Sequence, residues 1–202
     1  MPPSKPTSDS NSPRAWQRML SGRRLDLLNP SPLDIEISDI AHGLARVARW
    51  NGQTSGPHAF SVAQHCLLVE VLTTALKPRL ARSMRLAALL HDAPEYVIGD
   101  LISPFKAAVG LDYKAFELKL LEAIHVRFGL PAKLPNEILA LIKRADRLAA
   151  FYEATQLAGF ELAEARHYFG MPPKTLKHFV IVPLATPEAE AEFLARFRGL
   201  TA

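Results

Sequence analysis

The chain has 202 residues, of which 49% are hydrophobic and 22% charged, as expected of a globular protein with a sizeable core. Its formal net charge is +4, but the basic residues are scattered, which argues against a dedicated nucleic-acid binder and suits a small anionic substrate. One cysteine, Cys66, excludes an internal disulfide framework and favours a reducing compartment.

The start of the chain differs in composition from the rest. Residues 1–13 are rich in Pro and Ser and contain no apolar segment like that of a secretory signal. We therefore predict a disordered tail over 1–13 and a single domain over 14–202. No apolar run approaches the roughly 20 residues that a membrane span needs. We accordingly expect a cytoplasmic protein whose partner is a small molecule rather than a membrane or a nucleic acid.

Hydrophobic spacing predicts helices over most of the domain. Trp16–Leu33 is irregular, and we expect only short extended pieces near Arg24–Leu28, without a hairpin. Ser61 and Gln64 have the spacing of a capping box, which predicts a helix start at Ser61. Spacing, caps and breakers together predict helices over 38–50, 61–78, 79–92, 104–109, 112–128, 135–158, 160–170 and 187–197.

The predicted fold class follows from this succession of helices. It is all-α, a single bundle of about six to eight helices behind a disordered N-terminal tail. Residues 79–92 are apolar nearly all round, so this helix should lie centrally in the core. The segment 181–184 is predicted to be extended, and the last helix follows it.

The apolar run of 79–92 ends in a cluster of ionisable side chains. Within ten residues the chain carries His91, Asp92, Glu95 and Asp100. Pro94 disfavours a helical conformation in the residue before it, so the helix should stop near Asp92. The break can turn Glu95 toward the same site as His91. A soluble protein has little reason to place such groups beside an apolar segment unless they hold something.

Two further side chains complete a set of metal ligands. His65 lies one turn into the predicted helix 61–78, and Asp146 interrupts the amphipathic helix 135–158. With His91 and Asp92 they offer imidazole nitrogens and carboxylate oxygens, which suit a divalent ion that keeps water ligands, such as Mn²⁺, Co²⁺, Fe²⁺ or Mg²⁺. A thiolate-lined structural zinc site is impossible with one cysteine.

The order His65, His91-Asp92 and Asp146 resembles the H…HD…D pattern of the HD-domain metal-dependent phosphohydrolases. Three segments extend the resemblance to the 5′-deoxynucleotidase branch of that superfamily: Arg49-Trp50, Ser61-Val-Ala-Gln-His65, and His91 through Lys106. The resemblance covers about 38–160. It implies an all-helical fold, one divalent metal ion bound by the four residues named first, and hydrolysis of a phosphate monoester, most directly a (deoxy)nucleoside 5′-monophosphate.

The resemblance also suggests roles for the neighbouring residues. Glu95 would orient or deprotonate the attacking water. Asp100 would either protonate the leaving alkoxide or hold a sugar hydroxyl. Arg49 would bind the phosphate with its fork of donors. Trp50 resembles the residue that crowds the sugar 2′ position, although packing in the core is the alternative interpretation.

Two departures leave the substrate open. Gln64 stands where the branch usually has Glu, and the segment Tyr168–Ala202 has no clear counterpart. Hydrolysis of a nucleoside triphosphate or of a guanosine tetraphosphate alarmone is the alternative enzyme activity, and a non-catalytic nucleotide-binding module is the alternative class. His125 is the only histidine between the His91-Asp92 pair and Asp146. A second metal ion would need further histidines in this interval, so one ion is favoured over two. The resemblance also allows a homodimer.

Overall fold

The computed structural model describes residues 15–100, 111–174, 176 and 179–202. This part of the chain contains eight α-helices and one small antiparallel sheet, so the all-α class is confirmed. The predicted tail 1–13 and the predicted helix 104–109 lie outside the described residues. None of the described helices is long and apolar enough to cross a membrane.

The helices follow one another in the predicted order. Their bounds are α1 Ile37–Leu44, α2 Val62–Leu76, α3 Arg82–Leu89, α4 Glu95–Ile98, α5 Leu111–Arg127, α6 Asn136–Gln156, α7 Leu162–Phe169 and α8 Thr186–Thr201. Two 3₁₀ helices cover Pro32–Asp34 and Arg49–Gly52. The last four α-helices, α5 to α8, therefore confirm the predicted ones, with shifts of a few residues at their ends.

Helix α2 is the centre of the bundle, because it packs against α1, α3, α6 and α8. The predicted start of α2 is confirmed, since the Ser61 hydroxyl caps the helix by accepting a hydrogen bond from the Gln64 amide. The Gln64 side chain does not return to Ser61. Instead its Nε2 donates to the Val182 carbonyl at 2.9 Å and its Oε1 accepts from the Leu184 amide at 3.1 Å. Gln64 thereby ties the segment before α8 to the start of α2.

The predicted central helix 79–92 is shorter and less central than expected. It begins at Arg82 and ends at Leu89, and only its second half, with Leu90, is buried. Residues 90–94 form turns in which the amides of Ala93 and Glu95 bond carbonyls three residues back. Pro94 cannot donate a hydrogen bond and crowds the preceding turn, so the helix ends earlier than Asp92. The chain re-enters a helix at Glu95.

The predicted helix 38–50 is also shorter, because α1 ends at Leu44. Beyond it the chain is extended at Ala48 and bridges Ser61, while the Arg49 amide bonds the Phe60 carbonyl. These bonds to another segment replace those of a continued helix. Trp50 and Asn51 then adopt left-handed backbone conformations, with φ of 56° and 51°. A non-glycine residue rarely adopts such a φ, so packing must hold this corner in place.

A hairpin near the N-terminus contradicts the expectation that none would form. Strand β1 (Trp16–Arg18) pairs antiparallel with β2 (Arg24–Asp26), and Gln17 lies opposite Leu25. The strands have only three residues each, so there is no long alternation of apolar and polar residues to signal them. Leu25 is nevertheless fully buried in the core of the domain.

Helices α1 and α4 approach each other at a glycine. A Cβ on Gly43 would lie 2.7 Å from the Tyr96 Cβ and 2.8 Å from the Tyr96 carbonyl oxygen. Only glycine allows this approach, since no larger residue could keep the two helices at this separation. Gly43 thus sets the position of α4, which carries Glu95 at its first turn.

Candidate metal centre

Three parts of the fold bring histidines and aspartates together. His65 comes from the first turn of α2, His91 and Asp92 from the turn after α3, and Asp146 from the middle of α6. His65, His91 and Asp146 each offer a ligand atom, and these atoms lie within 4.8 Å of one another. Asp92 belongs to the same cluster, because its Oδ2 is 3.4 Å from His65 Nε2 and 3.2 Å from His91 Nε2. The structure thus places all four predicted ligands side by side.

The other ring nitrogen of each histidine is already engaged. His65 Nδ1 lies 2.6 Å from Glu153 Oε1, and His91 Nδ1 lies 2.9 Å from the Ala88 carbonyl oxygen. A carbonyl oxygen can only accept, and the Glu153 carboxylate is ionised, so both Nδ1 atoms carry the proton. Each imidazole therefore turns its Nε2 toward the cluster.

These two Nε2 atoms are the unsatisfied part of the cluster. Both are buried, and neither has a hydrogen-bond partner within the part of the chain that the structure describes. Asp146 Oδ1 is 3.3 Å from His65 Nε2, but neither it nor Asp92 meets a ring nitrogen with hydrogen-bond geometry. Buried polar atoms are nearly always satisfied, so such exceptions call for an explanation. Two imidazole nitrogens facing two carboxylates fit a divalent cation.

The charges of the site favour a cation as well. Burial and the nearby Arg49 lower the pKa of His65, but Glu153, Asp146 and Asp92 outweigh them and hold this pKa well above its usual value. Burial would raise the pKa of Asp92, yet His91 and His65 hold it well below its usual range. The cluster therefore stabilises positive charge at the ring nitrogens, whether a proton or a metal ion supplies it.

Glu153 was not among the predicted site residues. Its side chain is fully buried, and its Oε2 accepts hydrogen bonds from Trp50 Nε1 at 2.9 Å and Arg49 Nε at 3.3 Å. Burial would raise the pKa of Glu153, but the charges of His65 and Arg49 and the hydrogen bonds from His65 and Trp50 lower it to about 2. One signal could have found it: Glu153 follows Asp146 by seven residues, two helical turns along the same face of α6.

Arg49 and Asp100 meet beside this carboxylate. Arg49 Nη1 donates to Asp100 Oδ2 at 2.9 Å, and the two side chains are only 15% and 6% exposed. Burial would lower the pKa of Arg49, but Glu153 and Asp100 raise it above its usual value, so the guanidinium stays charged. The sequence had predicted both residues for the site without pairing them.

Trp50 and Glu95 complete the predicted set. Trp50 is half-buried against the rings of Phe160 and Phe169, with centroids 5.5 and 5.9 Å away. Glu95 is buried at the start of α4, three residues after Asp92. Burial raises the pKa of the Cys66 thiol. The negative charges of Asp92 and Glu95 raise this pKa further, and His91 lowers it.

The remaining described histidines do not belong to the cluster that could hold a metal ion. His58 and His167 are exposed, and His42 lies 3.5 Å from Glu190. His125 is buried, with Nδ1 3.3 Å from the Ala132 carbonyl oxygen. The described residues thus offer ligands for one centre.

Comparisons with known proteins agree with this geometry. The family model of the HD domain matches residues 43–167, which include all four clustered ligands and Glu153. The chain therefore belongs to the HD domain family, whose members are generally metal-dependent hydrolases. It is also 58% identical over 188 residues to an uncharacterized protein of Rhodobacter capsulatus, a match that covers 93% of this chain and 96% of that relative. The superfamily part of the resemblance is confirmed.

Proposed function

We propose that the protein is a metal-dependent phosphohydrolase that cleaves a phosphate monoester, and that its substrate is a (deoxy)nucleoside 5′-monophosphate. One observation carries the proposal: two buried, unsatisfied Nε2 atoms face two carboxylates, with a charged arginine nearby. His65, His91, Asp92 and Asp146 would hold the ion. A divalent ion in this position would polarise a phosphoryl oxygen and lower the pKa of a water molecule.

Arg49 is assigned to the phosphate. Its Nε and Nη1 are bonded to Glu153 and Asp100, which fixes the plane of the guanidinium while leaving further N–H donors for an anion. An arginine held in this way binds a phosphate dianion with little loss of side-chain entropy on binding.

Proton transfers are assigned to two carboxylates. Glu95, buried at the first turn of α4, would take the proton of the attacking water. Asp100 would protonate the leaving alkoxide or hold a sugar hydroxyl, and its bond to Arg49 links it to the phosphate.

Trp50 is assigned to the sugar. The ring is held on one side by Phe160 and Phe169 and through Nε1 by Glu153, so it is rigid enough to exclude a 2′ hydroxyl. Faster hydrolysis of deoxyribonucleotides than of ribonucleotides would support this role.

A cytoplasmic location and a homodimer also stay predictions, and light scattering would test the homodimer.

A substrate panel tests the proposal. Protein prepared without chelator is analysed for divalent metals and incubated with nucleoside monophosphates, triphosphates and a guanosine tetraphosphate alarmone in Mn²⁺, Co²⁺, Fe²⁺ or Mg²⁺. We expect free phosphate from monophosphates alone, loss of that activity in His91→Ala, and full activity in the control His167→Ala, at an exposed position on α7.

Other outcomes would replace the proposal. Release of pyrophosphate or triphosphate would support the alternative substrates. Tight nucleotide binding without turnover in any of the metals would support a non-catalytic module. The absence of bound metal together with full activity of His91→Ala would refute the metal-dependent mechanism.

A further inference from the structure

We infer that Glu153 is a positioning residue that holds the metal ligand His65 with one carboxylate oxygen and the phosphate-binding Arg49 with the other. The inference rests on the proposed function and adds a residue to it. It predicts that the metal site and the phosphate site share one support and fail together when that support is removed.

The two carboxylate oxygens of Glu153 accept hydrogen bonds from different partners. Oε1 accepts from His65 Nδ1 at 2.6 Å, which fixes the ring so that Nε2 faces the cluster. Oε2 accepts from Arg49 Nε at 3.3 Å and from Trp50 Nε1 at 2.9 Å. Three side chains assigned to the metal or the substrate therefore depend on one carboxylate.

The surroundings leave no substitute for this carboxylate. The side chains of Glu153 and His65 are both 0% exposed, so bulk water cannot take over a lost hydrogen bond. Partners of this kind orient metal-ligating histidines and make them better ligands. Only an ionised carboxylate can accept from all three donors, because the amide of a glutamine would offer one oxygen and turn N–H groups toward the other donors.

The chain contains a matched control for burial and charge. Glu70, on α2, is also 0% exposed and accepts from two arginines, Arg85 Nε and Arg196 Nη1, each at 2.7 Å. Neither arginine is assigned to the site. Replacing Glu70 should therefore disturb the fold in a comparable way without touching a metal ligand.

The experiment compares Glu153→Gln with Glu70→Gln. Metal-free wild type and variants, shown to be folded by circular dichroism, are titrated with Mn²⁺ by calorimetry and by electron paramagnetic resonance. Phosphate release is then measured at saturating metal. We expect Glu153→Gln to weaken Mn²⁺ binding by about 10–100-fold and also to raise KM. Mn²⁺ affinity and KM should be unchanged in Glu70→Gln.

The outcomes separate this inference from the proposed function. A wild type that binds no divalent ion refutes the proposed function. A wild type that binds Mn²⁺, with the same affinity in folded Glu153→Gln, overturns the role of Glu153 alone. Equal losses of Mn²⁺ affinity in both variants would also overturn it, because removal of any buried carboxylate would then have the same effect as removal of Glu153.

A second measurement covers the case in which Glu153→Gln does not fold. Nitrogen NMR of wild-type protein loaded with diamagnetic Zn²⁺ reports which nitrogen of His65 is protonated, with assignment by His65→Gln. We expect a protonated Nδ1 and a coordinated Nε2. Coordination through Nδ1 would overturn the inference, because Glu153 could not then hold the ring.

Discussion

Two buried glutamates, Glu70 and Glu153, occupy similar surroundings and differ in what their partners do. Glu70 accepts from Arg85, Arg196 and the Thr74 hydroxyl, and the two arginines are 31% and 38% exposed. That network ends in solvent, through the two partly exposed arginines. The Glu153 network continues through His65 to a buried nitrogen without a partner among the described residues. A buried charge alone therefore does not distinguish the two regions, whereas an unsatisfied nitrogen that faces two carboxylates does.

The groove on the surface lies beside the partners of Glu70 and not beside Glu153. A groove of about 650 Å³ lies beside the Glu70 network and is lined by Arg82, Arg85 and Arg196 among others. None of its lining residues belongs to the histidine and aspartate cluster. The chemistry of the donor set, rather than the volume of a cavity, separates the two regions.

Metal removal should distinguish the two regions most strongly. We expect a chelator to abolish hydrolysis, and metal at about 100 times its Kd to stabilise the protein by about 2.7 kcal/mol, because the ion binds the folded state. Urea unfolding with and without chelator measures this. The same stabilisation should persist in Glu70→Gln and vanish in His65→Ala. If metal stabilises His65→Ala as well, the ion binds elsewhere.

Replacing Glu70 should affect stability alone. Glu70→Gln leaves a buried amide facing two arginine donors, so we expect it to lower the free energy of unfolding by about 1–3 kcal/mol. Chemical denaturation measures the loss, and steady-state kinetics should give an unchanged kcat. A large fall in kcat in the folded variant would show that the Glu70 region contributes to catalysis after all.

The arginines of the two networks offer a second matched pair. Arg49→Lys loses the fork that bonds Asp100 and Glu153, so we expect kcat/KM to fall about tenfold, or about 1.4 kcal/mol. Arg85→Lys changes the corresponding contact with Glu70 and should leave kcat/KM unchanged. Similar losses in both variants would mean that the loss comes from a general disturbance of the fold rather than from the fork of Arg49.

The smallest effect is expected at Trp50. Trp50→Phe keeps an aromatic ring against Phe160 and Phe169 and removes the donor to Glu153, which retains its two other partners. We expect a loss of about 1 kcal/mol in the free energy of unfolding and a modest rise in KM. An unchanged KM would limit Trp50 to packing.

Sequence patterns predicted the cluster better than its support. His65, His91, Asp92 and Asp146 are unusual against their apolar surroundings, so their residue types and order stand out. Glu153 does not stand out, because a glutamate on an amphipathic helix is ordinarily solvated. Its burial depends on how α6 packs against α2, which no local pattern encodes.

Local conformations were harder to predict than helices. The left-handed backbone of Trp50 and Asn51 depends on the pairing of Ala48 with Ser61, thirteen residues along the chain. The end of α3 at Leu89 reflects the combined effect of Pro94 and the turns around it. In the first place a contact between segments overrides the helical periodicity, and in the second a proline does.

The side-chain amide of Gln64 limits how far the chain could be shortened at its C-terminal end. The HD family match ends at residue 167, which would suggest the rest is dispensable. Yet Gln64, next to His65, both donates to Val182 and accepts from Leu184, and a glutamate could not do both. A truncation after residue 167 would leave that buried amide without these two partners and would uncover α2 and α3 where α8 packs. We therefore expect that the smallest fragment that keeps the candidate metal site intact extends through α8.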